Sequence, residues 1–436
     1  MENNRPSWSS QFAFILSAIG SAVGLGNIWR FPYIMGQYGG AVFLITYISL
    51  ILTICFVPLM CEILLGKITQ KESVGAFAQI NPKFKIFGWM NSVTAIIIAA
   101  FYFVVGGWII NYIYKNLTPF QISDYGQYFS DFIQTSFLPC ILTLIFLVVC
   151  ILFTARGVNK GIELANKIMM PIFAIILISL AVISLNLPNA YLGLEYMFKP
   201  DFSKLNTNMF LAALGQALFT LSIGMGALLT YGSYIKSNKN IIKSAYTIVF
   251  ADTTFAIMSG IMIFPAVFSF GLEPNSGAGL VFITLPEIFA QITNGHIVAI
   301  AFFVLLLFAA LTSGVSILEV PTASLIEQFK ISRKKASAIL FMIVALVAIP
   351  ATLSFGILKD FLICGKNFFD FLDFTSSNIL LPINTLFLCI ALGWFYKLDS
   401  KIFIENKFLS KVFNIAMKYI VPAILIFLFI YWLKIN

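Results

Sequence analysis

The chain has 436 residues, 60% of them hydrophobic and only 10% charged, with a formal net charge of +9. A soluble globular domain carries about 25% charged residues, so the composition excludes one. The mean hydropathy of +0.95 points to a polytopic membrane protein. In chain order, stretches without Asp, Glu, Lys or Arg run over 6–29, 31–61, 86–114, 132–155, 168–194 and 205–235. They continue over 244–272 (interrupted by Asp252), 288–318 (carrying His296), 336–358, 374–396 and 419–433. Each is near the ~20 residues that a bilayer core requires. We number them spans 1 to 11; span 11 is the shortest. The pattern predicts an all-α polytopic membrane protein with 11 transmembrane helices, one transmembrane unit over 1–436.

Span 1 runs on from Trp8 to Arg30, too long for a cleaved signal peptide, so none is expected. Cys55, Cys61, Cys140, Cys150 and Cys389 lie inside apolar runs without metal-ligand spacing and read as packing. With Arg5 placed inside, nineteen loop Lys and Arg from Lys67 to Lys418 fall on the same side. Only Lys115, Lys199, Lys204, Lys359, Lys366 and Lys434 fall on the other. That bias sets a cytoplasmic N-terminus, and eleven crossings set the C-terminus outside. The basic balance therefore means topology and contact with the lipid bilayer, not nucleic acid.

Spans 1 and 6 differ from the rest. Span 1 contains "GSAVGLGN" at 20–27 and span 6 contains "GQALFTLSIGMG" at 215–226. Each has a glycine pair at mid-span, Gly24 with Gly26 and Gly224 with Gly226, beside small hydroxyl residues. A glycine costs about 1 kcal/mol against alanine in a helix. Close packing through small residues accounts for one such span, but two lying five spans apart suggest more. A repeat of five crossings enters the membrane with opposite orientation, so spans 1–5 and 6–10 can form a 5+5 inverted pair. Interrupted helices at matching positions of two halves point to a transporter site at the midplane. Freed carbonyls there suit a small hard cation, and half-helix N-termini suit a carboxylate.

The stretch "GSAVGLGNIWRFPY" at 20–33 resembles the first-span signature of the neurotransmitter:sodium symporter family. "RGVNKGIE" at 156–163, "GQALFTLSIGMGALLTYGSY" at 215–234, "FAALTSGVSI" at 308–317 and "DFLDF" at 370–374 are similar to its later motifs, in the right order. The likeness extends over nearly the whole chain, and is to eleven-span bacterial members, including carriers of leucine and tyrosine. It implies one repeat over about 8–190, a second over about 205–396 and an extra helix over about 416–434. It also implies residence in a bacterial inner membrane.

By the same resemblance, one sodium site takes the carbonyls of Gly20 and Val23 with Ala309, Thr312 and Ser313. Positions 309, 312 and 313 share a helix face independently of any family, although Thr312 and Ser313 can instead bond back to their own helix. A second sodium site takes the Ala22 carbonyl, Asn27, Thr220 and Asp252, completed by the substrate carboxylate. Asp252 is the only acid in span 7, and an ionisable residue at that depth is a functional candidate. Its fixed negative charge implies that chloride is not required.

The implied substrate is a free L-amino acid bound among Ser21, Ala22, Leu25, Gly26, Ile98, Tyr102, Phe219, Thr220, Ser222, Met225, Ser313 and Ile317. Met225 stands where a leucine-carrying bacterial member has phenylalanine. A pliable methionine leaves room for a larger, aromatic side chain, with tyrosine, tryptophan, phenylalanine, leucine and methionine all open. An outer gate is expected from Arg30, Asp373 and Gln216 with Tyr102 and Phe219 as a lid. An inner gate is expected from Arg5 and Glu327 with Trp8 and Tyr234. Glu62 is expected to hold backbone freed in span 6, whereas Glu319 has no assigned role. The sequon at Asn116 is read as chance.

The function these expectations describe is sodium-coupled import of a hydrophobic or aromatic L-amino acid by alternating access. A proton-coupled carrier of the same fold and a non-transporting amino-acid receptor are the alternatives. No GxSxG, HExxH or P-loop pattern is present, so no enzyme is expected. A homodimer is left open.

Overall fold

The computed structural model describes residues 6–117, 122–236, 240–273, 279–396, 398 and 406–435, with backbone alone for 431–435. Nine continuous helices among the described residues are long and apolar enough to cross a membrane. They are Ala41–Thr69, Pro82–Asn116, Phe137–Ala155, Val158–Leu185, Ile241–Ser269, Gly295–Phe329, Arg333–Leu353, Phe368–Phe395 and Lys407–Ile430. A tenth crossing is a bent pair, Gln11–Ala22 and Gly26–Gln37, at 44°. Span 6 is two helices, Thr207–Thr220 and Ala227–Gly232, with turns over 221–226 between them.

Local chemistry starts these helices where the charge pattern expects them. Ser10 caps span 1 by accepting from Ala13 N at 3.0 Å. Asn206 caps span 6 through Met209 N at 2.8 Å, and Asn240 caps span 7 through Lys243 N at 3.0 Å. Each satisfies a donor the helix cannot. The most apolar window of span 3 is 78% buried and that of span 4 only 33%, so span 3 is central and span 4 faces lipid.

The boundaries depart from the charge-free runs at several places. Span 5 ends at Leu185 rather than 194, because Asn189 turns left-handed (φ 59°) before a separate helix, Ala190–Phe198. The first residues of the 288–318 run close another helix, Leu285–Gln291, and span 8 then continues through Glu319 to Phe329. That acid is tolerated because Arg333 Nη1 and Nη2 reach its carboxylate at 2.6 and 2.9 Å, and a buried charge needs such a partner. Span 10 starts at Phe368 and so carries Asp370 and Asp373 in its outer turns. Span 11 starts at Lys407, longer than its 15 charge-free residues, with Lys411 in its second turn and Lys418 near its middle. Lysines near a helix end can extend their heads to the interface.

Candidate functional site

The first break follows from one crowded contact. The helix of span 1 stops at Ala22, Val23 is extended (φ −79°, ψ 90°) and winding resumes by Gly26. Gly24 lies against spans 3 and 8: a Cβ there would stand 2.2 Å from Ser313 Oγ and 3.0 Å from the Tyr102 hydroxyl. Only glycine lets the chain pass so close. The carbonyls of 20–22 are left without partners from their own helix, as at any helix end. Ser313 Oγ donates to two of them, Gly20 O at 3.2 Å and Ser21 O at 3.1 Å.

The second break is a run of turns. Ser222, Gly224 and Gly226 take φ of 55°, 84° and 77°. Its freed groups are answered by fixed side chains. Glu62 Oε1 accepts from Gly224 N at 2.7 Å and Oε2 from Leu229 N at 3.4 Å, as expected for Glu62 from the sequence. Asn384 Nδ2 donates to Gly224 O at 2.7 Å and to Thr94 Oγ1 at 2.9 Å.

Beside the breaks lies a buried oxygen cluster. Asp252, with no exposure, accepts from Asn27 Nδ2 and Thr220 Oγ1, both at 2.9 Å on Oδ1. Tyr47 OH donates to Oδ2 at 3.3 Å. Thr220 Oγ1 also lies 2.9 Å from Asn27 Oδ1, and Gly24 N donates to that oxygen at 3.3 Å. Ala22 ends the half-helix two residues before Gly24. One carboxylate beside an amide oxygen and a hydroxyl is a hard-oxygen donor set. Among the described residues no three His, Cys, Asp or Glu side chains gather to hold a metal.

At the first sodium position expected from the sequence, Ser313 reaches Gly20 O, whereas Thr312 is turned elsewhere. Thr312 Oγ1 donates to Phe308 O at 2.9 Å and Ala309 O at 3.2 Å, so it bonds to its own helix. Ala309 O also accepts from Tyr102 OH at 3.5 Å. Val23 is fully buried at the break.

Of the residues expected around the substrate, spans 1, 3, 6 and 8 bring the polar ones together. Leu25 N donates to Tyr102 OH at 3.2 Å. Ser222 Oγ donates to Ser21 O at 3.1 Å, and Ser21 Oγ lies 3.4 Å from Ser222 Oγ and 2.8 Å from Ser316 Oγ. Gly26 abuts Phe219, with a Cβ position 3.3 Å from its ring. Ile98, Met225 and Ile317 are buried apolar side chains with no charge to offer a ligand.

At the outer side, Arg30 Nη2 stands 3.9 Å from Asp373 Oδ1, and Nη1 donates to Gln216 Oε1 at 3.3 Å. The guanidinium caps the Phe219 ring at 4.9 Å, and Gln216 Nε2 donates to Gly26 O at 2.7 Å. A cavity of 630 Å³ beside this group is lined by Lys359, Lys366, Asn367, Asp370 and Asp373 among others.

At the opposite end, Arg5 lies outside the described residues. Glu327 Oε2 accepts from Glu72 N at 3.5 Å. Trp8 Nε1 donates to Tyr231 O at 2.9 Å, and its ring meets Tyr234 edge-on at 6.1 Å. Tyr234 OH donates to Glu319 Oε1 at 2.7 Å. Glu319, unassigned from the sequence, therefore joins this end through Tyr234 and Arg333. Asn116 is buried and donates to Tyr112 O at 2.7 Å, which suits packing rather than glycosylation.

Sequence reasoning missed Tyr47, Asn384, Ser316 and Arg333. Only Arg333 had a signal, an arginine beside Lys334 and Lys335 at the start of span 9. It reads there as one more flank charge.

The profile of the sodium:neurotransmitter symporter family matches residues 5–125 and 128–435. An uncharacterized sodium-dependent transporter of Bacillus subtilis is 38% identical over 397 residues, covering 89% of this chain and 88% of its own. Another, of Haemophilus influenzae, is 35% identical and covers 98% of each chain. The crystal structure of MhsT in complex with L-phenylalanine superposes with a TM-score of 0.92 at 41% identity, covering 98% of this chain and 99% of that one. With the profile spanning nearly its whole length, the chain belongs to the sodium:neurotransmitter symporter family and is a membrane transporter, not an enzyme.

Proposed function

We propose that the chain is a symporter in which inward sodium movement drives uptake of a hydrophobic or aromatic L-amino acid. It crosses the membrane eleven times, as a 5+5 inverted repeat plus one helix, with the N-terminus cytoplasmic and the C-terminus outside, in a bacterial inner membrane. The observation that carries this reading is the Asn27, Thr220 and Asp252 oxygen cluster beside the interrupted span 1. One sodium ion binds there with the Ala22 carbonyl. A second binds between Gly20, Val23, Ala309, Thr312 and Ser313 once Thr312 rotates away from its own helix.

The amino acid sits between the breaks. Its carboxylate meets the half-helix N-terminus at Leu25 and Gly26 with the Tyr102 hydroxyl, and completes the Asp252 sodium site. That shared ligand links the two bindings, and such coupling is reciprocal. The side chain lies against Ile98, Phe219, Met225 and Ile317. The L-phenylalanine bound by MhsT supports an aromatic choice. Arg30 with Asp373 closes the outside and Arg5 with Glu327 the inside. Asp252 supplies the fixed negative charge that makes chloride unnecessary.

The test is uptake of labelled L-phenylalanine, leucine, tyrosine and tryptophan into proteoliposomes. An inward sodium gradient is expected to concentrate at least one of them, equally with chloride or gluconate outside. Accumulation driven by a proton gradient in sodium-free medium defeats the reading in favour of proton coupling. Binding without accumulation defeats it in favour of a receptor.

A further inference from the structure

Where span 10 ends and span 11 begins, a basic row lies outside the site described above. Lys407 and Lys411 are i and i+4 at the start of span 11, and Lys418 follows seven residues later, so the three fall along one face of the helix. Lys407 and Lys411 are exposed and Lys418 is half-buried. Among the described residues no carboxylate pairs with any of them. Lys418 lies in the seam with span 10: a Cβ at Gly393 would stand 3.0 Å from its Cγ and 3.5 Å from its Cα. Trp394 Nε1 donates to Lys418 O at 3.2 Å, and the Trp394 ring meets Tyr419 edge-on at 5.4 Å.

The next face of the same helix is bare hydrocarbon. Phe408, Val412, Ile415 and Tyr419 repeat at i, i+4, i+7 and i+11, one step round from the basic row, and all four are exposed. A row of lysines on a helix is most often a solvated flank. Here that account leaves the apolar row beside it in water as well. Trp394 is exposed too, and it and Tyr419, level with Lys418, are the ring types that collect at the headgroup level of a bilayer. A helix with lysines beside large apolar side chains binds a membrane surface through apolar contact and attraction to anionic lipid together. Cations and apolar surface side by side match one molecule, a phospholipid with a negatively charged headgroup and apolar tails. A free phosphate uses only the lysines, and a two-fold contact with a second copy sets the lysine rows against each other.

We propose that Lys407, Lys411 and Lys418 hold the headgroup of an anionic phospholipid, with its tails along Phe408, Val412 and Ile415. The proposal goes beyond the transport cycle and needs the orientation given above only to name the leaflet, the cytoplasmic one. Basic pockets between helices on that side suit anionic headgroups. The backbones of the three lysines span about 16 Å of helix, and their long stems let the charged heads gather at one level.

The test is native mass spectrometry of the purified full-length chain, freed of lipid in detergent and mixed with equal amounts of phosphatidylglycerol and phosphatidylcholine. Wild type is expected to retain phosphatidylglycerol in preference. Each single Lys→Gln change is expected to weaken that retention about fivefold, and Lys407→Gln, Lys411→Gln and Lys418→Gln together on the order of 100-fold, with phosphatidylcholine unchanged. Lys411→Gln alone, at an exposed position, carries the test should the triple variant not fold. Lys83→Gln with Lys85→Gln, exposed lysines at the start of span 3, is expected to retain lipid as wild type does. An equal loss in that control overturns the site, since it marks a general effect of charge. Wild type without a preference, or equal retention by wild type and the triple variant, overturns it as well. So does displacement of the lipid by an equal concentration of inorganic phosphate. A dimer that the triple change dissociates assigns the face to a second copy and overturns the lipid site. None of these readouts depends on sodium or amino acid, so a failure here leaves the transport reading standing.

Discussion

Span 1 loses its helix over 23–24 and bends by 44°, whereas span 6 loses it over 221–226 through three left-handed residues. Inside a membrane each freed backbone group needs a partner, and the partners differ in kind. In span 1 they are the Ser313 hydroxyl and the Asn27 amide, both neutral groups. In span 6 they are the Glu62 carboxylate and the Asn384 amide, buried and committed to the backbone on either side of Gly224. The lesson is that a broken helix is identified by its glycines but its job by what answers the break. The break in span 1 is met by neutral groups, and the break in span 6 is braced by a carboxylate and an amide.

The largest expected effect tests the brace. Glu62→Ala strands the N–H groups of Gly224 and Leu229, at about 1–3 kcal/mol each. Thermal unfolding in detergent should show a drop of about 2–6 kcal/mol; unchanged stability means that span 6 is not held in this way. Gly24→Ala tests the other break. Its Cβ would overlap Ser313 Oγ at 2.2 Å, and overpacking of up to about 3 kcal/mol corresponds to a loss of sodium-driven uptake on the order of 100-fold. Its melting temperature should fall less than that of Glu62→Ala, and the reverse order breaks the comparison.

Three smaller effects sharpen the picture of span 1. Asp252→Asn keeps the shape of the oxygen cluster and removes its charge, so the sodium concentration for half-maximal uptake should rise about tenfold. Tyr47→Phe removes one hydrogen bond to that carboxylate, worth about threefold in the same measurement. Asp373→Asn should change uptake least, by less than about fivefold. The Arg30 pair is 3.9 Å apart with Asp373 27% exposed, and such pairs contribute about 0–1 kcal/mol.

Much of this was legible because hydrocarbon penalises charge. The long helices follow the charge-free runs, and the breaks fall at Gly24 and Gly224. Glu62 was legible too, as an acid in an apolar span. Tyr47 and Asn384 were not. Tyrosine in a span is ordinary, and a lone asparagine does not say which carbonyl it will meet 160 residues away. Span 8 was cut short at Glu319 for the same reason, since the compensating Arg333 belongs to the next helix. Span 11 was read as shorter than it is because the chain-order pattern does not reveal how far a lysine can reach toward water.

By itself, then, the sequence determined that this chain spans a membrane as helices, which two of them are interrupted, and which family it resembles. Those features are local, written in the spacing of charges, glycines and short motifs. Only the tertiary structure decided which side chains answer each break. It set Tyr47 and Thr220 on Asp252, Ser313 on the carbonyls of span 1, Glu62 and Asn384 on Gly224, and Arg333 on Glu319. A buried polar atom takes whichever partner the packing of distant helices brings within about 3 Å, and that distance is a property of the fold.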